Sequence, residues 1–307
     1  MRRRAYRGPE DIDLLQDFTA RQTARHGRVG LVHPGDIPHR IFNGLRREDP
    51  RELIHLWERG GDVMAWALLD PAHAGFDPQI APGAREESPD LEHQVIAWSE
   101  ETLLALLEER DSEATFIETD AFEADTTRGE LLRTLGWIAQ DVEELMLTRR
   151  PLRDIAPPEL PSGYRIRTVH GVEEAAEVSA LHSAGFGSSW TPELYRRVMK
   201  SPGYDPEREF LIEAPDGALA GFCVTWLDEM NRTGYFEPVA VHPDYRRLGL
   251  GKALLRAGMV AMRARGMQWA EVMFAVDNPG SGRLYRGEGF EPLWRIVLYR
   301  KSINLGS

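Results

Sequence analysis

At 307 residues, 42% of them hydrophobic, the chain has material for two packed domains, and no apolar run approaches the roughly 20 residues of a membrane-spanning helix. A single cysteine excludes an internal disulfide and any cysteine-rich metal site, and the histidines show no metal-ligand spacing. With 37 basic against 49 acidic residues, the net charge of -12 argues against a nucleic-acid partner; it suits a cationic acceptor such as an amine, and equally suits plain solubility.

From the N-terminus, the basic Met1-Arg2-Arg3-Arg4 runs into polar sequence rather than an apolar leader, so a cytoplasmic address is expected. A short strand is predicted at residues 3–7 and a helix at 11–25. A second helical stretch lies near 37–46, and strand-like runs follow at 53–57 and 63–69. Another helix starts near Leu91. Residues 150–163 contain Pro157-Pro158 and Pro161 and lack apolar periodicity, which reads as a linker. The expected division is therefore a domain at 1–150, a Pro-rich linker at 151–162 and a second domain at 163–307. The second half repeats the order of the first, with a strand at 164–169, helices at 172–183 and 192–199, and strand-like runs at 210–213 and 218–226. Leu131-Leu132-Arg133-Thr134-Leu135-Gly136-Trp137 parallels Leu284-Tyr285-Arg286-Gly287-Glu288-Gly289-Phe290. Two copies of one α/β unit are expected.

The stretch 234–290 carries the chemistry. Residues 235–241 read as a strand, and strict alternation would place Tyr235, Glu237, Val239 and Val241 on one face. Pro238 suits a strand whose pairing is interrupted there, leaving backbone groups free for a ligand. Then come Arg246-Arg247-Leu248-Gly249-Leu250-Gly251 and a helix at 252–265, closed by Gly266. A glycine-containing turn opening a helix presents unpaired N–H groups to a phosphate. The turn lacks the Gly-Lys-Ser/Thr of a nucleoside-triphosphate loop and the Gly-x-Gly-x-x-Gly of a dinucleotide fold. A strand at 269–276 follows. Asn278 is placed to cap the next short helix and face a ligand, with Tyr285 about two turns along it.

These motifs resemble the GCN5-related N-acetyltransferase (GNAT) superfamily. Arg246-x-x-Gly249-x-Gly251 matches its Arg/Gln-x-x-Gly-x-Gly/Ala signature, Val239 through Pro243 matches the strand end before it, and Asn278 with Leu284-Tyr285 and Gly289-Phe290 matches the later motif. The resemblance implies two tandem GNAT-like domains, each a mixed, mostly antiparallel central sheet flanked by helices, with two central strands splayed where acyl-CoA enters. It implies that the pantetheine arm runs along the backbone of Val239, Ala240 and Val241. Pyrophosphate would then rest on the loop of Arg246, Arg247, Leu248, Gly249, Leu250, Gly251 and Lys252, with Asn278 nearby and Tyr285 placed to protonate the leaving thiolate. No metal is implied. The tandem arrangement is also similar to the mycothiol synthase family, although no motif selects that substrate.

The first half departs from this pattern. Its loop reads Gly83-Ala84-Arg85-Glu86-Glu87-Ser88-Pro89-Asp90, whose acids would repel pyrophosphate, and Leu132 stands where Tyr285 stands. It reads as a degenerate copy. The expected activity is acetyl transfer from acetyl-CoA to a primary amine of a small molecule by direct attack on the thioester. A non-catalytic acyl-CoA-binding module and an acetyltransferase of a protein amine are the alternatives. An amine with a pKa near 10.4 is almost wholly protonated at neutral pH, so a general base is useful. Glu237 is the candidate, equally readable as a strand-end carboxylate in a surface salt bridge, and Asp228 and Glu229 stand behind it. Cys223 reads as a buried apolar residue. Phe186 and Trp190 lie where the superfamily lines its acceptor site, although packing against the sheet is the first expectation for such a pair.

Overall fold

The computed structural model describes residues 1–45, 48–141 and 145–305. The first half comprises β1 (Arg2–Ala5), α1 (Pro9–His26), α2 (Asp36–His39) running into a π-turn at Arg40–Gly44, α3 (Pro50–Leu53), β2 (Ile54–Arg59), β3 (Asp62–Asp70) and β4 (Gly75–Ile80). It continues through α4 (Ala84–Glu87), α5 (Leu91–Glu109), β5 (Phe116–Phe122), α6 (Thr126–Thr134), β6 (Ile138–Ala139) and β7 (Leu145–Pro151). The second half comprises β8 (Arg165–Thr168), α7 (Ala175–Phe186), α8 (Pro192–Met199), β9 (Glu209–Glu213), β10 (Leu219–Asp228) and β11 (Thr233–Val241). It ends with α9 (Leu250–Ala264), β12 (Trp269–Ala275), α10 (Pro279–Gly287) and β13 (Glu291–Ser302). No described helix is long and apolar enough to cross a membrane.

The two halves are copies of one unit down to single hydrogen bonds. Asp125 caps α6 by accepting from the Arg128 N–H, and Asn278 caps α10 by accepting from the Ser281 N–H. Each helix is followed by a left-handed glycine, Gly136 or Gly289. In one copy the Trp137 N–H donates to the Leu132 carbonyl at 3.0 Å; in the other the Phe290 N–H donates to the Tyr285 carbonyl at 3.0 Å.

The strands form a single sheet in the order β1-β2-β3-β4-β5-β13-β7-β12-β11-β10-β9-β8, with β6 paired to β13. Pairing is antiparallel except for β4 with β5 and β11 with β12. The tails are exchanged. The first half's last strand, β7, pairs with β12, and the chain's last strand, β13, pairs with β5. One apolar core fills the first half, and two more lie on opposite faces of the second half's sheet. Phe122 and Leu147 of the first half join the second of these, so burial as well as hydrogen bonding ties the halves together.

Strand β11 departs from strict alternation. Val239 pairs with Cys223 and Phe236 with Thr225, so Glu237 and Pro238 oppose Val224 alone. This extra residue is a β-bulge, and it flips every later side chain to the other face. Tyr235 therefore packs in one core, while Val239 and Val241 pack with Phe236 in the other. The expectation that Tyr235, Val239 and Val241 share a face is corrected by this single residue.

Candidate active site

The parallel pairing of β11 with β12 runs only from Thr233 to Phe236. Beyond it the two strands part, and β12 goes on pairing with β7 alone. The backbone of Val239, Ala240 and Val241 thus has no strand partner on its β12 side. Pro238 sits in the bulge, where its missing N–H costs no ladder bond.

The chain then turns through a short helical turn, Pro243–Tyr245, capped by His242, whose Nδ1 accepts from the Asp244 N–H. Arg247 and Gly249 both adopt left-handed backbone. Open space surrounds the position where a Gly249 Cβ would stand. Helix α9 begins at Leu250 with no side-chain cap, and among the described residues no acceptor meets the backbone N–H groups from Arg247 to Lys252. Left-handed turns before a bare helix start make a concave, electropositive nest. Arg246 secures it by donating to the Gly185 carbonyl at 3.1 Å and the Val241 carbonyl at 3.5 Å. Lys252 pairs with Glu288 at 3.3 Å.

The nest and the parted strand share one cleft of about 520 Å³. Its walls include Val239, Ala240, Val241, Arg246, Arg247, Gly249, Leu250, Gly251, Lys252, Asn278 and Tyr285. Of the residues expected to hold the cofactor only Leu248 lies outside, 43% exposed, and of the expected catalytic pair Glu237 does. Sequence reasoning did not single out Gly185 or Arg283, which also line the cleft, or the part played by Phe186, which stands at its rim. Tyr285 is buried against Phe274 and Phe290, and burial raises its phenol above the ordinary range. Among the described residues its hydroxyl has no partner.

Glu237 lies apart from the cleft lining, on the Tyr235 side of the bulge. Burial, reinforced by Asp36, pushes its carboxyl up to about 8 against the opposing charge of Arg40. Its nearest titratable contact is His39 of the first half, whose Nδ1 lies 3.3 Å from Oε1. Asp36, His39 and Arg40 reach it from α2 and the π-turn. Gly35 permits that approach, because a Cβ there would stand 2.0 Å from the Trp226 Cβ. Nothing in the local sequence of either half marks this meeting.

Asp228 and Glu229 lie at the far end of β11 from Val239. Asp228 accepts from the Asn231 backbone N–H and side-chain amide at 3.1 and 2.6 Å, a turn-holding role. Cys223 is fully buried, with its thiol raised by burial and aimed at the Leu254 carbonyl. Trp190 is also buried, packed among His182, Tyr195 and His39.

The pattern that defines the acetyltransferase (GNAT) family matches residues 175–290. The mycothiol acetyltransferase of Streptomyces coelicolor is 34% identical over 301 residues, covering 95% of this chain and 92% of that protein. That of Thermobispora bispora is 36% identical over 166 residues, 50% of this chain; the chain matches only 55% of its length. Among solved structures, a tandem GNAT protein from the clavulanic acid biosynthesis pathway superposes with a TM-score of 0.65 at 18% identity, covering all of this chain and 99% of that one.

Proposed function

This chain belongs to the GNAT family of acetyltransferases, and from that premise we propose that it transfers the acetyl group of acetyl-CoA to the primary amine of a small molecule, with the chemistry in its second half. One observation carries the reading: the parted edge of β11, the bare amides at the start of α9 and the hydroxyl of Tyr285 line a single cleft. Each wall fits one part of acetyl-CoA. The open backbone of Val239 to Val241 accepts the amide-rich pantetheine arm as an added strand. The nest from Arg247 to Lys252 holds the pyrophosphate. Tyr285 stands where the thioester sulfur would end.

The amine nitrogen attacks the thioester carbonyl, the C–S bond breaks and the thiolate leaves. Glu237 takes the amine proton, directly or through one water. Its raised pKa suits this task, because a base works best when it titrates near the working pH. A backbone N–H on the parted strand near Val239 stabilises the oxyanion. Tyr285, protonated throughout the neutral range, supplies a proton to sulfur. The names of the relatives support a small-molecule acceptor of the mycothiol kind.

The reading is tested by incubating the protein and acetyl-CoA with a panel of primary amines: amino sugars, amino acids, deacetylated mycothiol and a lysine peptide. Loss of the thioester absorbance is followed, with mass spectrometry of the product. Acetylation of a small amine is expected, and turnover of the peptide alone would overturn the acceptor class. Glu237→Gln is expected to lower turnover most near neutral pH and less at high pH, where the free amine is already abundant. An unchanged pH–rate profile would remove Glu237 from the mechanism.

A further inference from the structure

The first half meets Glu237 of the second through α2 and the π-turn, with His39 the residue in contact. We propose that His39 is a positioning residue for Glu237, so that the half without a phosphate nest supplies a working part of the active site. The proposal rests on the reading of Glu237 as the base.

His39 Nδ1 stands 3.3 Å from Glu237 Oε1. The separation is an ion-pair distance, and since a carboxylate only accepts, the form of the imidazole that suits it carries its proton on Nδ1. Both side chains are largely shielded, at 13% exposed for His39 and 20% for Glu237. The imidazole is held by the Trp190 ring, stacked at 6.0 Å, and by His182 at 6.1 Å. These rings pack around the imidazole beside the carboxylate.

The other charged or titratable groups facing Glu237 are Asp36 and Arg40 from the first half, Tyr235 on its own strand and Tyr285 from α10. Arg40 is engaged elsewhere: its Nε donates to Asp36 at 2.6 Å and its guanidinium reaches Asp77 at 2.7 Å. Its field opposes the effect of Asp36 without a direct contact. His39 is the group that touches the carboxylate and fixes where its oxygens point. A base must lie within hydrogen-bond reach of the proton it takes, and a misplacement of about 1 Å is worth up to about 100-fold in rate.

The test compares His39→Ala, His39→Asn and Glu237→Gln in the full chain, using acetyl-CoA and the amine from the panel that turns over fastest. His39→Ala is expected to lower kcat at neutral pH by about tenfold or more and to leave the affinity for acetyl-CoA, measured by calorimetry, unchanged. It also removes a donor that favours the charged form of Glu237, so the acid limb of kcat/KM should move to higher pH by about one pH unit. In His39→Asn the amide nitrogen falls near the position of Nδ1, and most of kcat and the position of the limb should return. A wild-type profile for His39→Ala, alongside a crippled Glu237→Gln, would overturn the positioning role alone. An Asn variant as slow as the Ala variant would assign the loss to packing on Trp190 and overturn it as well. A wild-type profile for Glu237→Gln would overturn the base reading, and this inference with it.

Discussion

Helices α5 and α9 start at matching places, each after the strand that pairs in parallel across the middle of its half, yet their first turns do opposite things. In α9 the second residue is Gly251, and the first turn faces an open cleft whose far side carries Asn278. In α5 the second residue is Glu92, and Asp125 caps α6 where Asn278 caps α10. Arg85 lies between these two acids, its guanidinium within 2.6 Å of Glu92 and 2.7 Å of Asp125, while Arg128 closes on Glu92 at 2.8 Å. Where the second half leaves bare amides for an anion, the first half has carried in two carboxylates and answered them with its own cations. The matching position in the first half is not merely acidic, as the loop sequence suggested through Glu86 and Glu87; it is filled by a buried ion-pair cluster. The difference shows how two copies of one unit keep a common fold while one carries charge into a turn that the other leaves open, the introduced carboxylates being neutralised internally.

Giving α9 the character of α5 should have the largest effect. Gly251→Asp places a carboxylate where Glu92 stands in the other half. Asp suits the first turn of a helix, and its Cβ would meet Leu284 Cδ2 at 3.1 Å, a contact that a small side-chain shift relieves. The protein should stay folded and lose measurable acetyl-CoA binding. Undiminished affinity in a calorimetric titration would dissolve the assignment of the nest and the comparison with it.

Removing one oxygen should have a smaller effect. Leu132 is fully buried in the first half's core, whereas Tyr285, also buried, is among the residues that line the cleft. Tyr285→Phe keeps the packing on Phe274 and Phe290. A thiol with a pKa near 8.5 leaves fairly well unaided, so the expected loss in turnover is about 100-fold, the low end for general-acid help, with acetyl-CoA affinity little changed. Normal turnover would make Tyr285 the equal of Leu132, a packing residue only. Lost affinity with normal turnover would make it a clamp on the ligand.

Much of this was legible because it is local. The α10 cap, the glycine turn and the start of α9 are each set within a few residues, and such short-range signals survive in a sequence read alone. The order of elements in the two halves was legible for the same reason. The face of Glu237 was not, since a bulge beside Pro238 shifts the alternation by one residue and its register depends on β10. The exchanged tails, β7 on β12 and β13 on β5, join segments far apart in the chain, and nothing in the periodicity of either strand chooses between its own half and the other. The meeting of His39 with Glu237 joins residues from opposite halves of the chain across the close seam at Gly35, so it too was out of reach.

The smallest functional effect is expected where the two halves look most different. Arg85→Ala takes the cation from the middle of the filled site. Turnover should not change, and titration should still give one acetyl-CoA per chain. Removing Arg85 leaves Glu92 and Asp125 facing each other with Arg128 as their remaining cation, a worse place for pyrophosphate than before. The consequence should appear in stability. Burial raises the carboxyls of both acids, but Arg128 and Arg85 together outweigh it and hold them below the ordinary range. A depressed carboxyl pKa contributes stability that is present above the unfolded value and lost as pH falls through the folded one. The variant should therefore be destabilised at neutral pH, by about 2 to 3 kcal/mol for a partly accessible member of a buried pair. Its stability should also fall less than that of the wild type as the solution is acidified. Thermal melts of both proteins from neutral pH down to about pH 3 check the sign. A second acetyl-CoA site appearing in Arg85→Ala would mean that the cluster only occludes a nest still able to bind. The first half would then differ from the second by a removable plug rather than by the loss of its phosphate site.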